Sequence, residues 1–173
     1  ITGKVIAFGA RQIKEEKKQP KYINSPETLL YIKSDILYGL YQSKNEIRKE
    51  DKCYLVEGYT DVISLYQIGI NNVVSSSGTS LTNGQIKLLS RYTKNITILY
   101  DGDEAGLNAS LRGMDLILEN DLNVKIVSLP KDEDPDSLSK KMNELEFKNY
   151  LNTNETDLIN YKVKLLNENY KDD

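Results

Sequence analysis

The 173-residue chain sets 23 Lys+Arg against 26 Asp+Glu, a net charge of −3, and its 39% hydrophobic content can supply the core of one full domain plus an appendage. No apolar run approaches the roughly 20 residues of a membrane helix. With no histidine and one cysteine, Cys53, the chain excludes a Cys/His zinc site, an internal disulfide and a histidine-based triad, so a reducing, cytoplasmic setting away from membranes is expected.

The chain enters GKVIAFGAR directly, without a cap, a flexible lead or a secretory leader, and reads as a piece of a longer protein. Residues 3–11 alternate and are β-branched enough for a strand. QIKEEKKQPKYINSPET, broken by Pro20 and Pro26, reads as a long lysine-rich loop. Ile32, Ile36, Leu37, Leu40 and Tyr41 recur at helical spacing and predict a helix over about 29–49. Residues 1–52 hold 11 Lys+Arg and 7 Asp+Glu, whereas residues 53–173 hold 12 and 19, so a basic front precedes an acidic body.

From Cys53 the rhythm changes. CYLVEGY, NNVVSSSG, NITILYD and NVKIVSLP read as strands, separated by the helical patterns DVISLYQIG, LTNGQIKLLSRYT and GLNASLRGMDLILEN. This βαβαβαβ series predicts an α/β fold, a parallel sheet with helices on both faces. Thr82 and Gln85 have capping-box spacing, with Leu81 and Ile86 placed as a hydrophobic staple. Beyond Pro130, helices are expected over about 137–151 and 157–170. The chain thus divides into a basic stretch (1–51), the α/β body (52–135) and a helical C-terminal segment (136–173).

Chemistry in a parallel sheet gathers outside the carboxyl ends of its strands. The first strand of the series ends in Glu57-Gly58, the third in Asp101-Gly102-Asp103, and the fourth is followed by DEDPD with Asp134 and Asp136. Carboxylates at i and i+2 of an extended segment share a side, and their repulsion is relieved by a cation. Oxygen-only ligands select Mg²⁺ or Mn²⁺. A shared ion needs ligand oxygens within about 2.0–2.6 Å, so the strands ending at Glu57 and Asp101 should be neighbours. Gly58 and Gly102 would keep the turns small enough for phosphates to approach. The alternatives are structural: Asp-Gly is a common turn, Asp61 suits a helix N-terminus, and Asp134 and Asp136 suit a solvated acidic turn.

VEGYTDVISLYQIGINNVVSSSGTSLT, ILYDGDEAG and LPKDEDPDSL resemble the Toprim domain of the bacterial DNA primases, and the upstream IAFGAR and PKYINSPET resemble the basic half of that family's polymerase core. The resemblance covers about residues 3–150. It implies a Toprim-type sheet, preceded by part of a smaller basic α+β subdomain and followed by a helical segment. It also implies that Glu57, Asp101 and Asp103 are catalytic and hold metal, that Asp61, Asp134 and Asp136 form an outer, weaker metal site, and that Arg11, Lys21 and Asn24 contact nucleotide phosphates or the nucleic-acid backbone. Ala10 stands where the family carries glycine.

The implied activity is synthesis of short RNA primers for DNA replication, by metal-dependent nucleotidyl transfer from ribonucleoside triphosphates on a single-stranded DNA template. The implied cofactor is Mg²⁺, replaceable by Mn²⁺, with no zinc in this stretch. A replicative helicase would be met through a region outside it. The same acids would also serve a Toprim nuclease or topoisomerase, or a metal-nucleotide binding module without turnover.

Overall fold

The structure, a computed structural model, describes residues 2–12 and 22–169. It begins with a small antiparallel ribbon in which β1 (Gly9–Arg11) pairs with β2 (Tyr22–Asn24), Ala10 lying opposite Ile23. The strand expected over 3–11 is therefore only three residues long, and Val5 and Phe8 before it are exposed. Ala10 lies in β1 and is not among the residues with positive φ, so alanine is accommodated there without strain. Much of the expected lysine-rich loop, Lys21 included, lies outside the described residues, while its end forms β2.

The helix predicted over 29–49 is realised only as α1 (Leu40–Glu50). A 3-10 turn (Lys33–Asp35) and an extended segment precede it. Three contacts explain the late start. Tyr38 exchanges backbone hydrogen bonds of 3.0 and 3.1 Å with Ser75, and Gln85 donates to the carbonyls of Lys33 and Ile36 at 3.0 Å each. Gly39, at φ 82°, turns the chain in a left-handed conformation. A Cβ there would sit 2.9 Å from Val62 Cγ1 and 3.1 Å from the Val73 carbonyl oxygen, so both its φ and its surroundings demand glycine.

From Cys53 the expected alternation is present. β3 (Cys53–Val56), α2 (Tyr59–Gln67), β4 (Val73–Ser75), α3 (Asn83–Leu89), β5 (Asn95–Ile98), α4 (Glu104–Leu118) and β6 (Asn123–Val127) follow in turn. Thr82 and Gln85 close the predicted capping box, each side chain accepting the other's backbone N–H at 3.2 Å. The C-terminal region departs from expectation. The single helix over 137–151 is split into α5 (Pro135–Ser139) and α6 (Glu144–Asn154), each with its own side-chain cap, from Asp134 and Asn143. Then β7 (Glu155–Asp157) adds an antiparallel edge strand to β6 before α7 (Leu158–Asn169). None of the described helices is long and apolar enough to cross a membrane.

The sheet order is β4-β3-β5-β6-β7, parallel except for β7. Alternation along each strand feeds two cores. Leu55, Ile96, Ile98 and Ile126 pack with residues of α1, α3, α4 and α7, whereas Tyr54, Val56, Leu99 and Val127 pack with α2, α5 and α6. Right-handed crossovers require that steps in opposite directions place their helices on opposite faces. The chain steps from β3 to β4 through α2 on one face, and from β5 to β6 through α4 on the other. A crevice therefore opens between the carboxyl ends of β3 and β5.

β7 is short and polar because one of its residues closes an internal ion network. Glu155 is a salt-bridge partner of Lys52 and of Lys125 (2.9 Å), and accepts from Thr97 Oγ1 at 2.7 Å, while Lys52 lies 5.0 Å from the Tyr54 ring centroid. Burial opposes the charged form of Glu155, but hydrogen bonds from Lys52, Thr97 and Lys125 and the charge of Lys52 outweigh it and hold its carboxyl below the ordinary 4.5. A depressed carboxyl contributes stability that is fully present above the unfolded value and lost as pH falls through the folded one. Glu155→Ala should therefore cost about 2 kcal/mol at pH 7 through the half-buried Lys52 left unpaired, a fall in Tm of about 4–8 °C. The loss should shrink below pH 4.5, and calorimetry over a pH series checks both.

Candidate active site

The pairing of β3 with β5, expected from the need to share an ion, is observed, and it continues past both strands. Leu99 N–H donates to Leu55 O at 2.9 Å, and Asp101 N–H reaches Glu57 Oε1 at 3.4 Å. The Glu57 carboxylate thus lies against the end of the neighbouring strand. Around it opens a cavity of about 670 Å³, lined on its acidic side by Glu57, Asp61, Asp101 and Asp134.

Asp101 is the electrostatic centre. Its Oδ1 is buried and has no hydrogen-bond partner, an arrangement found at no other buried side-chain oxygen or nitrogen of the described residues. Burial, followed by the charges of Glu57, Asp61, Asp134 and Asp103, pushes its carboxyl from 3.8 up to about 7. Asp61 is almost fully buried at the third position of α2, where its Oδ2 accepts the Gly58 N–H at 2.9 Å. Burial raises it to about 6, with Asp134, Asp136 and Glu57 adding to the rise and the Gly58 hydrogen bond opposing it.

The other acids are spent differently. Asp103, extended in backbone, is the N-cap of α4, exposed, with Oδ1 accepting the Gly106 N–H at 2.7 Å. Gly102 serves the protein's own backbone, since a Cβ there would fall 2.1 Å from the Pro130 carbonyl oxygen, and its N–H donates to Glu133 O at 2.9 Å. Asp134 caps α5 through the Ser137 N–H at 2.6 Å. Asp136 accepts from Ser64 Oγ and pairs with Lys140 at 2.7 Å. Burial would raise Asp136, but those two hydrogen bonds and the charges of Lys140 and Arg11 hold it below its ordinary value.

On the basic side, Arg11 is exposed at the cavity, its guanidinium 5.8 Å from the Tyr22 ring centroid. Asn24 is a brace: its Nδ2 donates to Ser77 O at 3.1 Å and its Oδ1 accepts from Tyr59 OH at 2.8 Å. Lys21 lies outside the described residues.

The sequence reading missed part of the wall. Tyr22, Tyr59 and Tyr100 line the cavity, together with the hydroxyl-rich loop after β4. Tyr59 packs edge-on against Tyr38, centroids 4.7 Å apart, and burial raises its hydroxyl to about 12. In that loop Ser77 and Gly78 both have positive φ, and Ser77 N–H donates to Glu57 O at 3.1 Å. The strand-end rule would have found SSSGTS had it been applied to hydroxyls as well as acids.

Among the described residues, no three His, Cys, Asp or Glu side chains gather tightly enough to hold a metal ion by themselves. The donor set nevertheless fits Mg²⁺, which takes one or two carboxylates and completes its shell with water and substrate phosphate. An orphaned carboxylate oxygen on a strongly raised acid beside a second carboxylate meets that demand.

Comparison with known proteins places these features in a family. A family model described as Toprim-like matches residues 54–139, and one described as the N-terminal domain of the DNA primase catalytic core matches residues 1–44. The chain is 45% identical over 168 residues to a DNA primase of Clostridium acetobutylicum, covering 96% of this chain and 27% of that protein. It superposes on the crystal structure of the zinc-binding and RNA polymerase domains of the Aquifex aeolicus primase with a TM-score of 0.86 at 42% identity, over 98% of this chain and 42% of that one. A primase catalytic domain bound to single-stranded DNA matches with a TM-score of 0.76 at 39% identity, over 86% of this chain and 47% of that one. The chain spans about a quarter of the length of the Clostridium relative. With a Toprim-like model following a primase-core model along the chain, and this identity over nearly its whole length, the chain belongs to the bacterial DNA primase family, of whose catalytic core it forms a part.

Proposed function

We propose that this chain carries the reaction centre of a primase: it joins ribonucleotides into short RNA primers on a single-stranded DNA template, in the cytoplasm, with the crevice between β3 and β5 as the place of joining. The observation that carries the reading is the orphaned, strongly raised Asp101 carboxylate held against Glu57. The relative bound to single-stranded DNA supports the choice of template. In sequence terms, residues 1–51 end the basic subdomain, 52–135 are the Toprim part and 136–173 the helical segment. Both flanking stretches pack helices onto the sheet, so these are divisions of the chain and not of its core. The helicase would be met through a part of the primase that this chain does not include.

Magnesium, or manganese in its place, would be held by Glu57, Asp101 and the outer oxygen of Asp103, and would lower the pKa of a primer 3′-hydroxyl while offsetting phosphate charge. The chain's own groups prepare the site. Asp101 gives up its proton to accept a cation, which removes the cost of crowding it among four acids. Asp61 and Asp134, fixed at helix starts, deepen the negative field there, and Asp136 adds to it at Asp61 while paired with Lys140. Arg11 balances substrate phosphates from the basic ribbon, and Lys21, ten residues further along the sequence, adds a second cation. Asn24 keeps that ribbon on the sheet through Ser77 and Tyr59.

The acids make two predictions. Asp101 and Asp61 have folded values above the unfolded 3.8, so the folded state binds these protons more tightly. The stability these two acids contribute should fall as pH rises from about 4 through about 7 and stay low above that. Asp101→Asn should raise Tm at pH 8 by about 2–4 °C, equivalent to about 1 kcal/mol, and by less at pH 5; a lower Tm at pH 8 would remove the charge crowding from the argument.

The second concerns the ion. At pH 8, Mn²⁺ or Mg²⁺ should raise the melting temperature of the wild-type chain by mass action and leave Asp101→Asn unmoved. In the full-length primase, Asp101→Asn and Glu57→Gln should each lower primer synthesis about a hundredfold or more. Undiminished synthesis by both variants would sink the proposed function.

A further inference from the structure

The cavity continues past the acids to a second wall. Ala109, Arg112, Gly113 and Leu116 lie at i, i+3, i+4 and i+7 of α4, share one face of the helix, and line the cavity with Ser80 and Leu81. Close packing builds this wall: a Cβ on Gly113 would lie 3.1 Å from Ile98 Cδ1 and 3.8 Å from Leu81 Cδ2. Arg112 is exposed on it and makes no ion pair among the described residues. The nearest acid on its own helix face, Asp115, is paired instead with Lys162 at 3.1 Å.

Position separates Arg112 from the acidic centre. It lies nine residues beyond the N-cap Asp103, about 13 Å along the helix axis, so its backbone stands about two and a half turns away from the acids at the helix start. Arg11 approaches the same cavity from the ribbon, which Tyr22 and Asn24 bond to Thr60 and Tyr59 at the start of α2, whereas Arg112 stands on α4. Two guanidiniums thus line the cavity from different elements. A compact triphosphate, with the highest charge density, belongs beside the acids and their cation. A chain of singly charged phosphodiesters, whose sugars and bases can lie on apolar surface, suits a guanidinium beside Leu81, Ala109 and Leu116.

We propose that the α4 wall of the cavity is a subsite for the backbone of a single-stranded nucleic acid, in which Arg112 holds a phosphodiester, Ser80 offers a hydroxyl to it, and the apolar floor receives the adjoining sugar or base. The inference rests on reading the crevice as the primer-synthesis site. Because the cation is the side chain itself, binding there requires no metal.

The test uses the 173-residue chain, a fluorescein-labelled single-stranded oligothymidylate in EDTA over a salt series, and separately a fluorescent ribonucleoside triphosphate analogue with Mn²⁺, both read by anisotropy. Arg112→Ala should weaken strand binding about tenfold, lower the slope of log affinity against log salt by about 0.7, and leave the nucleotide affinity unchanged. Arg112→Lys should keep the slope and lose part of the affinity, since it keeps the charge but not the fork. Unchanged affinity and slope in Arg112→Ala, with its melting temperature intact, would overturn the proposal. Loss of nucleotide binding with strand binding intact would overturn it too, assigning the wall to the triphosphate. Asp101→Asn separates the two readings. If it leaves Mn²⁺-dependent nucleotide binding untouched while Arg112→Ala weakens the strand, the metal reading of the acids fails and the strand subsite stands.

Discussion

Parallel pairing of β3 with β5 is the constraint from which the rest of the site follows. Once Leu99 N–H is bonded to Leu55 O, the next residues of both strands must emerge side by side, and Asp101 N–H meets the Glu57 carboxylate at 3.4 Å. Nothing in the core requires two carboxylates there. The apolar stretches of both strands are buried on two faces, and that burial holds the acids in a place their mutual repulsion opposes.

How the remaining acids are tolerated follows from the same topology. In a parallel sheet, the helices that follow the strands begin at the strands' carboxyl edge, so the N-termini of α2, α4 and α5 all open toward the crevice. Asp61, Asp103 and Asp134 each accept a backbone N–H in a first turn, where the helix dipole favours negative charge. Those three are satisfied by the fold, whereas Asp101 keeps a buried oxygen without a partner. The acids that look alike in DGD and DEDPD thus separate into caps that shape the field and a centre that feels it. Asp136, held by Ser64 and Lys140, joins α5 to α2 instead.

The parts of this arrangement legible in the sequence were those governed by local period and capping. The strand-helix alternation from Cys53, the Thr82 cap and the adjacency of the Glu57 and Asp101 strands follow from alternation and from where chemistry sits in a parallel sheet. The parts that were not legible depend on distant partners. Nothing local announces that Tyr38 will pair with Ser75, and so the helix read from Leu29 begins only at Leu40. Glu155-Thr156-Asp157 carries no strand signal, and is a strand because Lys52, Lys125 and Thr97 surround Glu155. Asp103 also has a local role that the DGD spacing does not announce, as the N-cap of α4.

The basic ribbon is attached to this acidic edge through neutral groups, and the choice has an electrostatic consequence. Tyr59 OH to Asn24 at 2.8 Å, Tyr22 OH to Thr60 at 3.1 Å and the edge-on Tyr22–Tyr59 contact carry the junction. Had Arg11 instead closed a salt bridge to Asp61 or Asp101, the junction would have consumed a cation and an acid together, and each would have been costly to free in a half-buried cavity. Aromatic and amide contacts hold the two charge signs face to face without letting them neutralise each other. Arg11 rests 5.8 Å over Tyr22, exposed, and its charge is felt at Asp136. The charge separation visible in the sequence, basic before Lys52 and acidic after it, is thereby preserved at the cavity, where the acids can attract a cation and the arginines a phosphate.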